Sequence, residues 1–167
     1  MDGDKIDRWM VDAFVRAHDT VPEEIVLDLD ATDDPIHGQQ EGRFFHGYYR
    51  NYCYLPLYIF CGAHLLCARL RQSNIDGAAG SVDELERIVC QIRQSWPDVS
   101  IIIRADSGFC RDALMDWCEA RQVDYVIGLA KNDRLKREIA EQRVQAKTEF
   151  NATGLPARVF KDFLYRT

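Results

Sequence analysis

The sequence predicts a mixed α/β protein in which one sheet combines an antiparallel hairpin with parallel strands, and helices cover both faces of that sheet. Three observations carry this. Apolar runs of strand length, "IVLDLD", "VSIII" and "VDYVIGLA", are separated by segments of helical period, the order of a parallel sheet. After the first run come "FFHGYYRNYCYLPLYIFCG" and "HLLCARLRQS", aromatic and β-branched stretches parted at Gly62-Ala63, which read as an antiparallel pair. The 167 residues suffice for one domain with a substantial core, and no internal repeat interrupts them.

Each element has its own reason. Residues 5–17, "KIDRWMVDAFVRA", place Ile6, Trp9, Met10, Ala13, Phe14 and Ala17 at helical spacing. "TVPEE" breaks that helix, "IVLDLD" is the first strand, and "HGQQEG" is a polar turn. Pro56 inside the aromatic stretch suggests an edge or a bulge, and "DGAAGS" a flexible linker. Residues 82–95 set Val82, Leu85, Ile88, Val89 and Ile92 on one helical face. Ser81 is placed as the N-cap, Glu84 completes a capping box, and Trp96-Pro97 ends the helix. "VSIII" is continuously apolar, as in a parallel strand covered on both sides, and runs into "RADSGF". A helix over "RDALMDWCEARQ", the strand "VDYVIGLA" and a charged helix over "NDRLKREIAEQRVQAK" follow. The last piece, "PARVFKDFLYRT", alternates like a strand.

Composition is that of an ordinary globular protein, 47% hydrophobic and 29% charged. No stretch approaches the roughly 20 apolar residues of a membrane span, and "MDGDKIDRWM" lacks the order of a secretory signal, so a cytoplasmic protein without membrane contact is expected. A net charge of −6 is the wrong sign for a free-standing nucleic-acid binder. It does not exclude a site in which carboxylates hold cations that then meet phosphate. The six cysteines form no C-x-x-C and read as reduced thiols. Cys61, His64 and Cys67 approach metal spacing, yet a strand would turn His64 away from the other two, which argues against zinc.

The carboxylates of "IVLDLDATDDPIHG" carry the functional argument. Strand alternation puts Ile25, Leu27 and Leu29 on one face and Val26, Asp28 and Asp30 on the other. On the next parallel strand Ile102, Arg104 and Asp106 share a face, with Asp106 at the C-terminal end, where open α/β sheets bind their ligands. If the two strands are neighbours, Asp30 and Asp106 meet. Two ionised carboxylates in proximity require a proton or a cation between them, and hard oxygen donors suit Mg²⁺ or Mn²⁺. A plainer reading stands beside this one: Asp33-Asp34-Pro35 fits a turn, and Asp106-Ser107-Gly108 fits a strand-to-helix turn capped by Asp106. The pattern alone leaves both open.

Three long segments, "LDLDATDDPIHGQQEGRFFHGYY", "YLPLYIFCGAHLLCARLRQSN" and "IIIRADSGFCRDALMDWCE" with "VDYVIGLAKN", resemble the bacterial insertion-sequence DDE transposases over residues 5–167. They look most like the insertion sequence thirteen-eighty group within the IS-four-like superfamily. The resemblance implies a ribonuclease H-like fold, DNA strand cleavage and transfer during transposition, and Mg²⁺ or Mn²⁺ as cofactor. It also implies transposon ends and target DNA as partners, homo-oligomers in the intact family member, and a nucleoid-associated place in the cytoplasm. It assigns the first catalytic and metal-binding aspartate to Asp30, with Asp28 as runner-up, and the second to Asp106. The family's third ligand is a glutamate in a Tyr-x-x-Arg-x-x-x-Glu-x-x-x-x-x-x-Lys run. No such run is present here, and Glu138 and Glu141 lack the Tyr and Arg upstream. By this resemblance residues 1–150 are an incomplete catalytic core, and 151–167 open a β-rich insertion. The chain is then a central fragment, inactive on its own and poorly soluble, with Phe160, Phe163 and Leu164 uncovered.

Lesser candidates complete the picture. Arg43, His46, Tyr48, Tyr49 and Arg50 mix basic and aromatic residues as DNA-contacting surfaces do, and Lys131 and Asn132 follow the third parallel strand as phosphate contacts. His37 could approach the metal, although a turn histidine bonded to backbone explains it as well. Two other functions compete: a non-catalytic remnant of a broken transposase gene, and a phospho-acceptor signalling domain with Lys131 as its lysine. The second requires a helix where residues 44–71 read as a hairpin.

Overall fold

The computed structural model describes residues 3–165, and the chain divides into two compact units, residues 1–129 and 130–167. In the first unit, helix α1 (Gly3–Arg16) precedes strand β1 (Glu24–Ala31). Three short strands follow: β2 (Asp34–Pro35), β3 (Phe44–His46) and β4 (Asn51–Tyr54). Next come β5 (Leu57–Cys61), β6 (His64–Arg69), α2 (Ser81–Ser95), β7 (Ser100–Ala105), α3 (Asp112–Ala120) and β8 (Asp124–Ile127). The main sheet has the order β6-β5-β1-β7-β8. β1 pairs antiparallel with β5 and parallel with β7, and β7 pairs parallel with β8. This mixed sheet, an antiparallel hairpin joined to parallel strands, is ribonuclease H-like.

Alternation along the strands builds the core. Ile25, Leu27 and Leu29 of β1 point to one face with Leu57, Ile59, Leu66, Ile101 and Ile103. Onto them pack Val11 and Phe14 of α1, Leu85, Ile88, Val89 and Ile92 of α2, and Leu114 and Cys118 of α3. Each of the larger side chains removed from water contributes roughly 1.5–3 kcal/mol. The helices of this unit therefore share one face, and the two-sided cover suggested by "VSIII" is not met within it. On the opposite face Arg104 is 62% and Val126 63% exposed. That side is left for polar groups, among them Asp28 and Asp30.

Several expectations are corrected. The aromatic stretch is not one strand of a hairpin but breaks at Pro56, which has no N–H to continue a ladder. Residues before it form a separate three-stranded sheet, β2-β4-β3, and residues after it form the β5–β6 hairpin. "DGAAGS" is no flexible linker, because Arg71 donates to the Leu55, Ala79 and Gly77 carbonyls and Asp76 accepts from the Ala78 N–H. Gly80, at φ 75°, and not Ser81, is the N-cap of α2. The Ser81 hydroxyl donates to the Ala78 carbonyl, and Glu84 faces Arg69 and Arg87 instead of closing a capping box.

The second unit contains α4 (Asp133–Glu138) and α5 (Ala140–Thr153), two helices where one was expected, parted at Ile139. α5 ends at Gly154, whose φ of 71° suits a residue without Cβ. Residues 156–165 form no strand, and the last two residues of "PARVFKDFLYRT" lie outside the described ones. A strand needs a partner for its backbone, and here side chains hold the segment instead. Lys161 pairs with Glu138 at 2.8 Å, and the Tyr165 ring lies under the Arg134 guanidinium at 4.7 Å. Phe160 and Leu164 are exposed. No described helix is long and apolar enough to cross a membrane.

Candidate active site

The register of two parallel strands builds the site. β1 and β7 pair Asp28 with Arg104 and Leu29 with Ala105, residues 76 apart in sequence. Carried one step past the last paired residues, the same offset sets Asp30 level with Asp106 at the C-terminal ends of the strands. Both are exposed. Alternation keeps Asp30 and Asp28 off the core face, so the only path for their charge is outward.

The two aspartates of β1 are differently bound. Arg104 donates from Nε and Nη2 to the two oxygens of Asp28, the second bond at 2.8 Å, and these bonds raise the guanidinium's pKa. The runner-up ligand thus has both oxygens engaged. The Asp30 carboxylate makes no hydrogen bond or ion pair among the described residues.

Asp106 sits in a shaped turn. Its Oδ1 accepts from the Gly108 N–H at 2.7 Å, capping the single 3-10 turn Ser107–Phe109. The local-cap reading and the ligand reading are therefore compatible, since one oxygen caps and Oδ2 is not used. Buried Phe109 anchors the turn from below. A Cβ on Gly108 would lie 2.9 Å from Asp106 Oδ1, and a Cβ on Gly128 would lie 2.9 Å from the Ser107 nitrogen. Gly128 is thus demanded by the closeness of backbone to backbone, whereas at Gly108 the near atom is the Asp106 carboxylate itself.

A third wall comes from the β3–β4 turn, residues 47–50. Arg50 takes φ 56°, its N–H donates to the His46 carbonyl at 2.8 Å, and the Tyr49 hydroxyl donates to the Ala31 carbonyl at 3.4 Å. The turn is so fastened to the end of β1. Burial first, then the charges of Asp33, Tyr48, Asp30 and Asp106, raise the Tyr49 phenol, which stays protonated at neutral pH. Beside it the Asn51 amide donates to Asp33 at 2.9 Å. Neither Tyr49's place among the carboxylates nor the Asp28–Arg104 pair was anticipated. The second was findable, because 28 and 104 share the 76-residue offset of 30 and 106.

The remaining candidates are distributed as follows. Arg43 donates to the Gly38 carbonyl and lies 4.9 Å over the Tyr52 ring. Arg50 is exposed on the turn that carries Tyr49, and His37 is exposed. Lys131 and Asn132 belong to the second unit, where Asn132 caps α4 by accepting from the Leu135 N–H at 2.9 Å. His64 stacks edge-on against Phe14 at 5.3 Å, and burial pushes the Cys67 thiol up to about 12. No group of three or more His, Cys, Asp or Glu side chains, at residues 61–67 or elsewhere among the described residues, could hold a metal ion.

The chemistry of the donor set fits a hard divalent cation in part. Asp30 and Asp106 are oxygen donors with no basic side chain to neutralise them, since Arg104 is taken by Asp28 and Arg111 by Asp76 at 2.8 Å. They are two ligands, fewer than a closed site needs.

A family model described as "Transposase DDE domain group 1" matches residues 2–167. Among solved structures, the chain is similar to the piggyBac transposase synaptic complex with hairpin DNA at 14% identity and a TM-score of 0.47, over 73% of this chain and 26% of that one. It is similar to the catalytic domain of Mos1 mariner transposase at 10% identity and a TM-score of 0.47, over 88% of this chain and 79% of that one. A third likeness, at 10% identity and a TM-score of 0.33, is to the HTLV-2 integrase catalytic core domain in complex with magnesium, over 82% of this chain and 79% of that one. No curated protein matches the chain.

Proposed function

The chain belongs to the transposase DDE domain group 1 family, and on that premise we propose that Asp30 and Asp106 hold a divalent cation, Mg²⁺ or Mn²⁺, for cleavage and transfer of DNA strands. The observation that supports this most is the 76-residue register of β1 and β7, which, carried one residue past Leu29 and Ala105, brings two uncompensated carboxylates level at the strand ends. When bound, such an ion polarises the phosphodiester and neutralises charge on its oxygens. The chain's own groups do the positioning. The Gly108 N–H fixes one oxygen of Asp106 and so orients the other, while Asp28 is withheld by Arg104. The Tyr49 hydroxyl keeps its proton and lies beside the carboxylates as a neutral donor.

The finer reading follows from the motifs "LDLDATDD" and "IIIRADSGF": a bacterial insertion-sequence enzyme of the thirteen-eighty group. Its catalytic core lies in residues 1–150, its partners are transposon ends and target DNA, and it works as a homo-oligomer at the nucleoid. With two ligands in reach instead of three, this polypeptide alone binds the ion weakly and leaves DNA uncut. A non-catalytic remnant draws on the same missing ligand. The phospho-acceptor alternative loses its footing, because strands and not a helix follow β1.

Manganese titration followed by electron paramagnetic resonance tests the reading. Asp30→Asn and Asp106→Asn each should weaken Mn²⁺ binding about tenfold or more, and Asp28→Asn much less. Equal binding by all three variants overturns the assignment and leaves the remnant.

A further inference from the structure

Beside the carboxylate pair lies a cleft of about 330 Å³, bordered by Asp106 itself. Its volume is at the low end of ligand pockets, roughly 300–1,000 Å³, and suits one small flat group. Leu55 and Phe109, both buried, face it with apolar surface, and Asp106, Ser107 and Gly108 border it. One wall of it is aromatic, His46, Tyr48 and Tyr49 from β3 and the β3–β4 turn, and Ala31, Gly77 and Arg111 complete the lining. Tyr49 packs edge-on against Tyr48 at 5.0 Å and tilted on His46 at 4.8 Å, so two of the three rings are held by their neighbours and by the Tyr49 bond to Ala31. Tyr48 remains 84% exposed, a large ring with nothing against its outer side.

We propose that this cleft receives a single unstacked base of the DNA strand whose phosphate would meet the cation held by Asp30 and Asp106, with Tyr48 as the stacking platform. Charge selects the ligand class. A phosphate would be repelled by Asp106, and the one guanidinium in the lining, Arg111, already faces Asp76. A neutral heterocycle meets no such penalty. Its face would lie on an aromatic ring, an interaction open to all four bases because each has a π-face. His46 accepts from the Tyr49 N–H through Nδ1 at 3.5 Å, which leaves Nε2 carrying the hydrogen as a donor for a base edge. Unstacking is cheapest in single strands and at strand ends, which is where a strand-transferring site works. The inference rests on the DNA-strand reading above.

The test compares the affinity of the full chain, in magnesium, for an octathymidylate and for an abasic phosphodiester of equal length, by fluorescence anisotropy. The expected result is about tenfold tighter binding of the octathymidylate, a gap erased by Tyr48→Ala and kept by Tyr48→Phe. Because Tyr48 is exposed, both variants should melt with the parent protein. Equal and measurable affinity for the two probes overturns the cleft and leaves the DNA-strand reading standing. A gap that survives in Tyr48→Ala also overturns it, since the base is then held elsewhere. Binding of neither probe overturns both.

Discussion

Two pairs of acidic side chains, Asp7 with Glu84 and Asp30 with Asp106, are each brought together from distant parts of the chain, and the fold treats them oppositely. Asp7 of α1 and Glu84 of α2 are shielded from water, and guanidinium groups meet both. Arg69 of β6 reaches Asp7 at 2.6 Å and also bonds Glu84, while Arg87 donates to Glu84 at 3.0 Å and to the Asp7 carbonyl at 3.2 Å. Asp30 and Asp106 are open to water and have no basic partner. Buried charge must be neutralised from within, or desolvation would unfold the site. Exposed charge at a strand end can be left for a ligand to neutralise. The difference marks which pair serves the fold and which is left open for the proposed cation.

The largest effect is expected at the buried pair. Arg69→Met strands Asp7 and leaves Glu84 to Arg87 alone, and should cost about 3 kcal/mol of unfolding free energy in urea titration, at the lower end for broken buried pairs because Arg69 is itself 36% exposed. A loss below about 1 kcal/mol would show that the network does not hold α1 and α2 to the sheet. Next comes Gly128→Ala, whose methyl meets the Ser107 nitrogen at 2.9 Å and the Asp106 carbonyl carbon at 3.2 Å. It should cost about 1–3 kcal/mol and shift Asp106, so Mn²⁺ affinity falls together with the melting temperature.

Acid titration sharpens the same contrast. Burial raises Glu84, but hydrogen bonds and charge from Arg69 and Arg87 outweigh it and hold the carboxyl below its ordinary 4.5. A depressed folded value means the stabilisation is whole above the unfolded pKa and is lost as pH falls through the folded one. Melting temperature should therefore drop on acidification below about pH 4.5, and Arg69→Met should flatten the drop. The smallest effects belong to the open side. Asp28→Asn removes an exposed pair and should cost no more than about 1 kcal/mol, whereas Asp30→Asn should leave stability within about 0.5 kcal/mol, by differential scanning calorimetry. A large loss in Asp30→Asn would make it structural.

Much of the site was legible because it follows from local periodicity. The strand at 25–30 shows which side each aspartate takes, and "RADSGF" announces a strand end that turns. The capture of Asp28 by Arg104 was one step away, hidden only because a register must be known before a cross-strand pair can be counted. The break at Pro56 is half legible: a proline cannot extend a ladder, yet nothing local says that the strands on its two sides join different sheets. Ser81 and Glu84 fit a capping box by spacing, but Arg69 and Arg87 offered Glu84 a stronger partner. The alternation of 156–165 looked like a strand, and alternation cannot supply the neighbour that a strand requires.

By itself the sequence determined what short-range physics controls: the order of elements, the inward face of β1, and the family likeness written in its aspartate motifs. Tertiary structure alone decided the rest: that Tyr49 stands among the carboxylates, that Gly128 closes on the Asp106 turn, and that one aspartate of β1 is neutralised while its neighbour is not. The reason is that side-chain direction repeats with the backbone and can be read along it, whereas the partner of a charge depends on which distant segments packing brings within a few ångströms.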